Sequence, residues 1–82
     1  MSDVNQIIHM LEDLVADSSI PKNIRKSLSD AKIRLQSNED ISVRVSAAIY
    51  LIESVTEDIN MPAHARTQIW GIMGALESMK QV

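Results

Sequence analysis

The sequence predicts an all-α protein, a four-helix antiparallel up-and-down bundle made of two similar helical hairpins. Three observations predict it. Apolar residues recur at alternating steps of three and four, which keeps one stripe facing inward on a helix, where a strand would need period two. Two glycines and two prolines in 82 residues leave little for the turns of a β-rich fold. The pattern of residues 4–37 also returns at 45–78.

Each helix has its own stripe. Val4, Ile7, Leu11 and Leu14 place the first near residues 3–17. Ile24, Leu28, Ala31 and Leu35 place the second near 21–36. Val45, Ala48, Ile52 and Val55 define a third near 41–58, and Ala65, Ile69, Ile72, Leu76 and Met79 a fourth near 62–79. At about 1.5 Å per residue each is roughly 22–27 Å long. Similar lengths and short connections favour an up-and-down bundle in one domain spanning residues 1–82.

Shifting the chain by 41 residues lays Val4 on Val45, Ile7 on Ala48, Leu11 on Ile52 and Leu14 on Val55. The second helix falls on the fourth in the same way. Outside the seam, Ile8, Glu12, Asp17, Pro21, Arg25 and Ser37 recur as Ile49, Glu53, Asp58, Pro62, Arg66 and Ser78. A shared bundle pattern could supply the apolar matches, but not easily the polar ones. The expectation is two hairpins in tandem.

The clearest shared sign is Asp-x3-Pro-x3-Arg, read as "DSSIPKNIR" and "DINMPAHAR". Pro21 and Pro62 fix φ where a helix start leaves an N–H unpaired anyway. Ile20 and Met61 before them are pushed out of the α region and mark the break. Ser19 and Asn60 are candidate caps. Asp17 and Asp58 each close one helix and Arg25 and Arg66 open the next, all at the end their helix dipole disfavours. Pairing across the turn would offset both, with Glu12 and Glu53 as other partners for the arginines.

Composition bounds the function. The chain carries a net charge of −3, which does not favour nucleic acid. No cysteine is present, so a disulfide framework or thiolate metal cage is out and a reducing interior fits. The opening "MSDVNQ" lacks the basic and apolar regions of a signal peptide, and no apolar run reaches the ~18–20 residues of a membrane span. A cytoplasmic protein with no membrane partner is expected.

"DINMPAHARTQIW", preceded by "DSSIPKNIRKSLSDAKIRL" and "SNEDISVRVSAAIYLIESV", resembles the small archaeal proteins of uncharacterised protein family 0147. The likeness spans almost the whole chain, and the paired turns and Trp70 are its most specific parts. It implies a compact four-helix bundle and an archaeal cytoplasmic origin. It supplies no activity, substrate or catalytic residue to carry over.

The residues themselves offer little chemistry. There is no GxSxG and no glycine-rich phosphate loop. His9, Glu12 and Asp13 share a helical face that could hold a metal weakly, but the inward carboxylates and ExxH pairs of a bundle di-metal site are missing. His64 is expected to be exposed beside its turn, and Glu53 to face Arg66. No catalytic residue, metal or cofactor is expected, and the chain is not expected to be an enzyme. Lys22, Arg25, Lys26 and Lys32 with Ser29 form a basic flank that could touch phosphates, although Asp30 interrupts it and no aromatic is interleaved.

The asymmetry between the halves says more. His9, Ser29 and Lys32 become Tyr50, Trp70 and Met73 in the second hairpin, which also has Gly71 and Gly74 in mid-helix. Each glycine costs roughly 1 kcal/mol against alanine, which is sensible where another backbone comes close. Either the second hairpin is more buried within the bundle, or Tyr50, Trp70, Met73, Gly71 and Gly74 meet another chain, as a homodimer or with a different protein. The leading expectation is a small non-enzymatic interaction or scaffold module. RNA or ribonucleoprotein binding through the basic flank is the alternative, and an unrecognised enzyme the third.

Overall fold

The structure, a computed structural model, describes residues 3–80. Four helices follow in order: α1 (Val4–Val15), α2 (Lys22–Leu35), α3 (Ile41–Thr56) and α4 (Ala63–Lys80). They pack in a ring, α1 on α2, α2 on α3, α3 on α4 and α4 on α1. The connections are short, so successive helices run antiparallel. The turns after α1 and α3 therefore share one end of the bundle, and the α2–α3 connection lies at the other.

The ring is uneven. The α1–α2 and α3–α4 packings are equally extensive, α2–α3 is the tightest side, and α1–α4 is the sparsest. At that sparse side Met10, Asp13 and Gln68 line a small cleft of about 90 Å³.

One apolar core fills the ring. Ile7, Leu11, Leu14, Ile20, Ile24, Leu28, Ala31 and Leu35 are buried, and so is each residue 41 positions later. Val45 and Ile49 complete the core, with Val4, Ile8, Met73 and Met79 packed at its edge. Fully burying an aliphatic side chain of this kind contributes about 1.5–3 kcal/mol before the cost of ordering the chain.

Helix starts are built in two ways. Asp3 caps α1 with a reciprocal box: its Oδ1 accepts the Gln6 N–H at 2.9 Å while Gln6 Oε1 accepts the Asp3 N–H at 3.1 Å. Pro21 and Asp40 precede α2 and α3 without a side-chain cap, both with φ −54° and ψ 147°. Ser19 and Asn60 do not cap the following helices. Their backbone N–H groups are instead taken by Asp17 and Asp58, each at 2.9 Å.

Helix ends use no left-handed residue; positive φ is absent among the described residues. Carbonyls at the connections are met by arginine instead. Arg25 Nε donates to Ile20 O at 2.9 Å. Arg44 donates to Glu39 O at 2.8 Å and Leu35 O at 2.9 Å. Arg66 donates to Thr56 O at 2.9 Å and Asp58 O at 3.2 Å. Each arginine is the fourth residue of its helix and reaches back over the connection. Its charge sits badly with its own helix dipole, but well with the carbonyl end of the preceding helix.

Candidate interaction face

The turn residues form a different network from the one their charges suggest. Neither Arg25 nor Arg66 pairs with Asp17, Asp58, Glu12 or Glu53; the guanidinium groups are committed to carbonyls. The aspartates stay in their own turns as acceptors and reach across to the other hairpin. His64 Nε2 lies 2.8 Å from Asp17 Oδ2, and Asn23 Nδ2 donates to Asp58 Oδ2 at 3.3 Å. Asn23 and His64 are themselves 41 residues apart. The exchange is reciprocal: each aspartate is held by the second residue of the other hairpin's outgoing helix.

Asp17 accepts most. The Ser19 hydroxyl, His64 and the Ser19 backbone N–H, in that order, hold its carboxyl down at about 2 against an ordinary 3.8. Hydrogen bonds to the charged form favour it. A depressed acid contributes stability that is fully present above its unfolded value and is lost as pH falls through the folded one. Asp17→Asn will therefore lower the melting temperature at neutral pH and flatten the wild-type loss of stability between about pH 4 and pH 2. Melting curves across that range check it; a variant that follows the wild-type slope would show that Asp17 is not the group titrating.

The basic flank of α2 is mostly occupied. Lys26 Nζ lies 3.1 Å from Asp30, and Lys32 Nζ lies 3.8 Å from Glu12. Lys22, Arg25 and Lys26 line an open groove of about 360 Å³ with Val15 and Ser29, where Arg25 is tied to the turn. On α1, His9 Nδ1 is 3.4 Å from Glu12 Oε1. No cluster of three or more His, Asp or Glu side chains spaced for a metal occurs among the described residues.

The outer sides of α3 and α4 each carry an exposed aromatic ring. Tyr50 points away from the core and is 74% exposed; Trp70 is 65% exposed. Met73 is half-buried and packs on the core edge. Trp70, Met73 and Glu77 follow at steps of three and four on one flank of α4. Arg66, one turn before Trp70, shows that this flank faces α3, since it reaches Thr56 O. Greater burial of the second hairpin therefore does not account for its extra aromatics: neither belongs to the core. Gly71 and Gly74 are exposed, and a Cβ at either would meet nothing within 4 Å, so no backbone among the described residues approaches them.

The fold recurs in comparisons with other proteins. The sequence profile described as "Uncharacterised protein family (UPF0147)" matches residues 1–79. A UPF0147 protein of Pyrococcus furiosus is 46% identical over 79 residues, covering 94% of this chain and 85% of its own length. One from Thermococcus kodakarensis is 42% identical, covering 94% and 95%, and one from Thermoplasma acidophilum 33%, covering 94% and 89%. A crystal structure titled as that of the unknown function protein MMP1188 superposes with a TM-score of 0.87 at 42% identity, over 92% of this chain and 86% of that one. No helix among the described residues is long and apolar enough to cross a membrane. With a whole-length profile match and archaeal relatives at this identity, the chain belongs to the uncharacterised protein family UPF0147.

Proposed function

We propose that the chain is a non-enzymatic protein-interaction module built from two versions of one helical hairpin, and that its contact surface is the outer face of α3 and α4. The observation that carries this reading is the exposure of Trp70. A tryptophan left in water at a position where the first hairpin has Ser29 adds nothing to the core, and aromatic side chains are enriched where proteins meet. Gly71 and Gly74 support it, because they give up helix stability where nothing among the described residues asks for a small residue. The occupant is a second copy, giving a homodimer, or a different protein. Phosphate binding through the α2 flank is the weaker reading, since Lys26 and Lys32 are already paired with carboxylates.

Trp70→Ser tests it, because serine is what the other hairpin carries there. Its melting temperature will stay close to wild type, with a change within about 0.5 kcal/mol as for ordinary surface sites. Partner affinity will fall by about 2 kcal/mol or more, roughly thirtyfold. Gly74→Ala will raise folding stability by about 0.5–1 kcal/mol and weaken the same contact. Sedimentation across protein concentration detects self-association, and immobilised wild-type and variant chains in an extract of the source organism detect other partners. Monomeric wild type that retains the same proteins as Trp70→Ser would sink the reading.

A further inference from the structure

The two faces of the bundle carry one carboxylate in different company. On the α1–α2 face, Glu12 has His9 at 3.4 Å and Lys32 at 3.8 Å. At the corresponding positions on the α3–α4 face, Glu53 has Tyr50 and Met73, and no cation pairs with it among the described residues. The acid stays while the imidazole and the ammonium are exchanged for Tyr50 and Met73, which carry neither. Trp70, in place of Ser29, adds a second exposed ring. Glu77, one turn beyond Met73, adds a second carboxylate to that flank. Arg66 makes no ion pair with Glu53; its guanidinium donates to Thr56 O and Asp58 O instead.

We infer that the cation missing beside Glu53 is supplied by a partner: the α3–α4 face takes a lysine- or arginine-bearing segment of another protein. This rests on the reading of that face as the contact surface, and names the chemistry it accepts. A lysine or arginine head is attracted to the faces of Tyr50 and Trp70 by the ring quadrupole and to Glu53 by its charge, while the stem of the side chain lies along Met73. The same arithmetic disfavours two other occupants. A symmetric pair of copies would bring Glu53 and Glu77 of each toward those of its mate. An RNA backbone would meet carboxylates where it needs cations.

Trp70 is the sole tryptophan of the chain, so its fluorescence reports on this face in the full-length protein. The probes are a short peptide of alternating lysine and alanine, its glutamate–alanine counterpart, and oligouridylate, each titrated at low salt. The expected result is a saturable change with the lysine peptide alone. It should weaken roughly two- to fivefold in Glu53→Gln, and with added salt. Glu12→Gln, the matching change on the opposite face, should leave it as in wild type. Calorimetry with Tyr50→Ala gives a readout independent of the indole and should show the same weakening. The inference is overturned by no saturation with the lysine peptide, by equal affinity in Glu53→Gln, or by a response to oligouridylate. A Trp70-dependent partner that still binds Glu53→Gln at full strength would overturn it too, while leaving the α3–α4 face as the contact surface.

Discussion

Leu28→Ala will cost about 2–5 kcal/mol of folding stability. The side chain is fully buried in α2, the helix on the tightest side of the ring. Truncation removes apolar contact and leaves a void that the helices can only partly close. Domains of ordinary stability have about 5–15 kcal/mol in hand, so the variant will be marginal. At about 4–8 °C per kcal/mol for a chain of this size, its melting temperature will fall by some tens of degrees. Urea unfolding should move the midpoint and leave the slope unchanged. Leu28→Met, which keeps the volume, should cost under about 1.5 kcal/mol. A loss below 1 kcal/mol for alanine would mean the core is looser than its burial indicates.

Arg66→Lys will be nearly as damaging as Arg66→Ala, at about 1.5–3 kcal/mol, with the lower end expected because the side chain is only half-buried. The guanidinium spans Thr56 O and Asp58 O with two nitrogens, a fork that an ammonium point charge cannot reproduce. Without it, the last carbonyl of α3 loses its donor at a helix end that has no glycine cap. Arg25→Lys should cost less, because Arg25 gives a single Nε bond to its turn. The chemical-denaturation midpoints of the three variants decide it. Full stability in Arg66→Lys would show that charge alone closes the turn.

Much of the fold was legible in the sequence because its strongest signal is periodic. The three-four spacing found the inward residues of all four helices, with Val4 and Met79 at the edge of the core instead of inside it. It missed Ile20 and Met61, which are buried in the connections, where helical spacing has no meaning. They were legible only as the residues before proline. It also missed Ile49, which widens the stripe of α3 toward a neighbour. The turn sign identified Arg25 and Arg66, but tied them to acids across the turn. Charge invites that pairing; unpaired carbonyls at the helix ends win because they have no other donor. Arg44 went unread because Asp40 stands where the other two turns have proline. The common feature is an arginine four residues after the helix boundary, which becomes visible only once the boundary is known.

The candidate face was less legible. Sequence showed that Tyr50, Trp70 and Met73 exceed what one core stripe needs, but could not separate burial from exposure. That depends on which flank of each helix meets a neighbour, a matter of rotation that periodicity leaves open to within a fraction of a turn. The Asp17–His64 and Asp58–Asn23 contacts were hidden for a related reason: they join residues 47 and 35 positions apart. Their one trace was the 41-residue spacing of Asn23 and His64 themselves.

The sparse α1–α4 side also fixes where the protein comes apart. Every other side of the ring is closed by a stretch of chain as well as by packing, whereas this one has the Asp17–His64 clasp and a cleft. Opening there breaks the fewest contacts, and it frees α1 or α4, which pack equally on their own hairpin partners. Release of α1 uncovers Ile7, Leu11 and Leu14 together, an adhesive strip of the kind that seeds aggregation before the rest has unfolded. The shelf life of the folded protein is therefore expected to follow how fast a terminal helix lets go, more than the strength of the core it leaves behind.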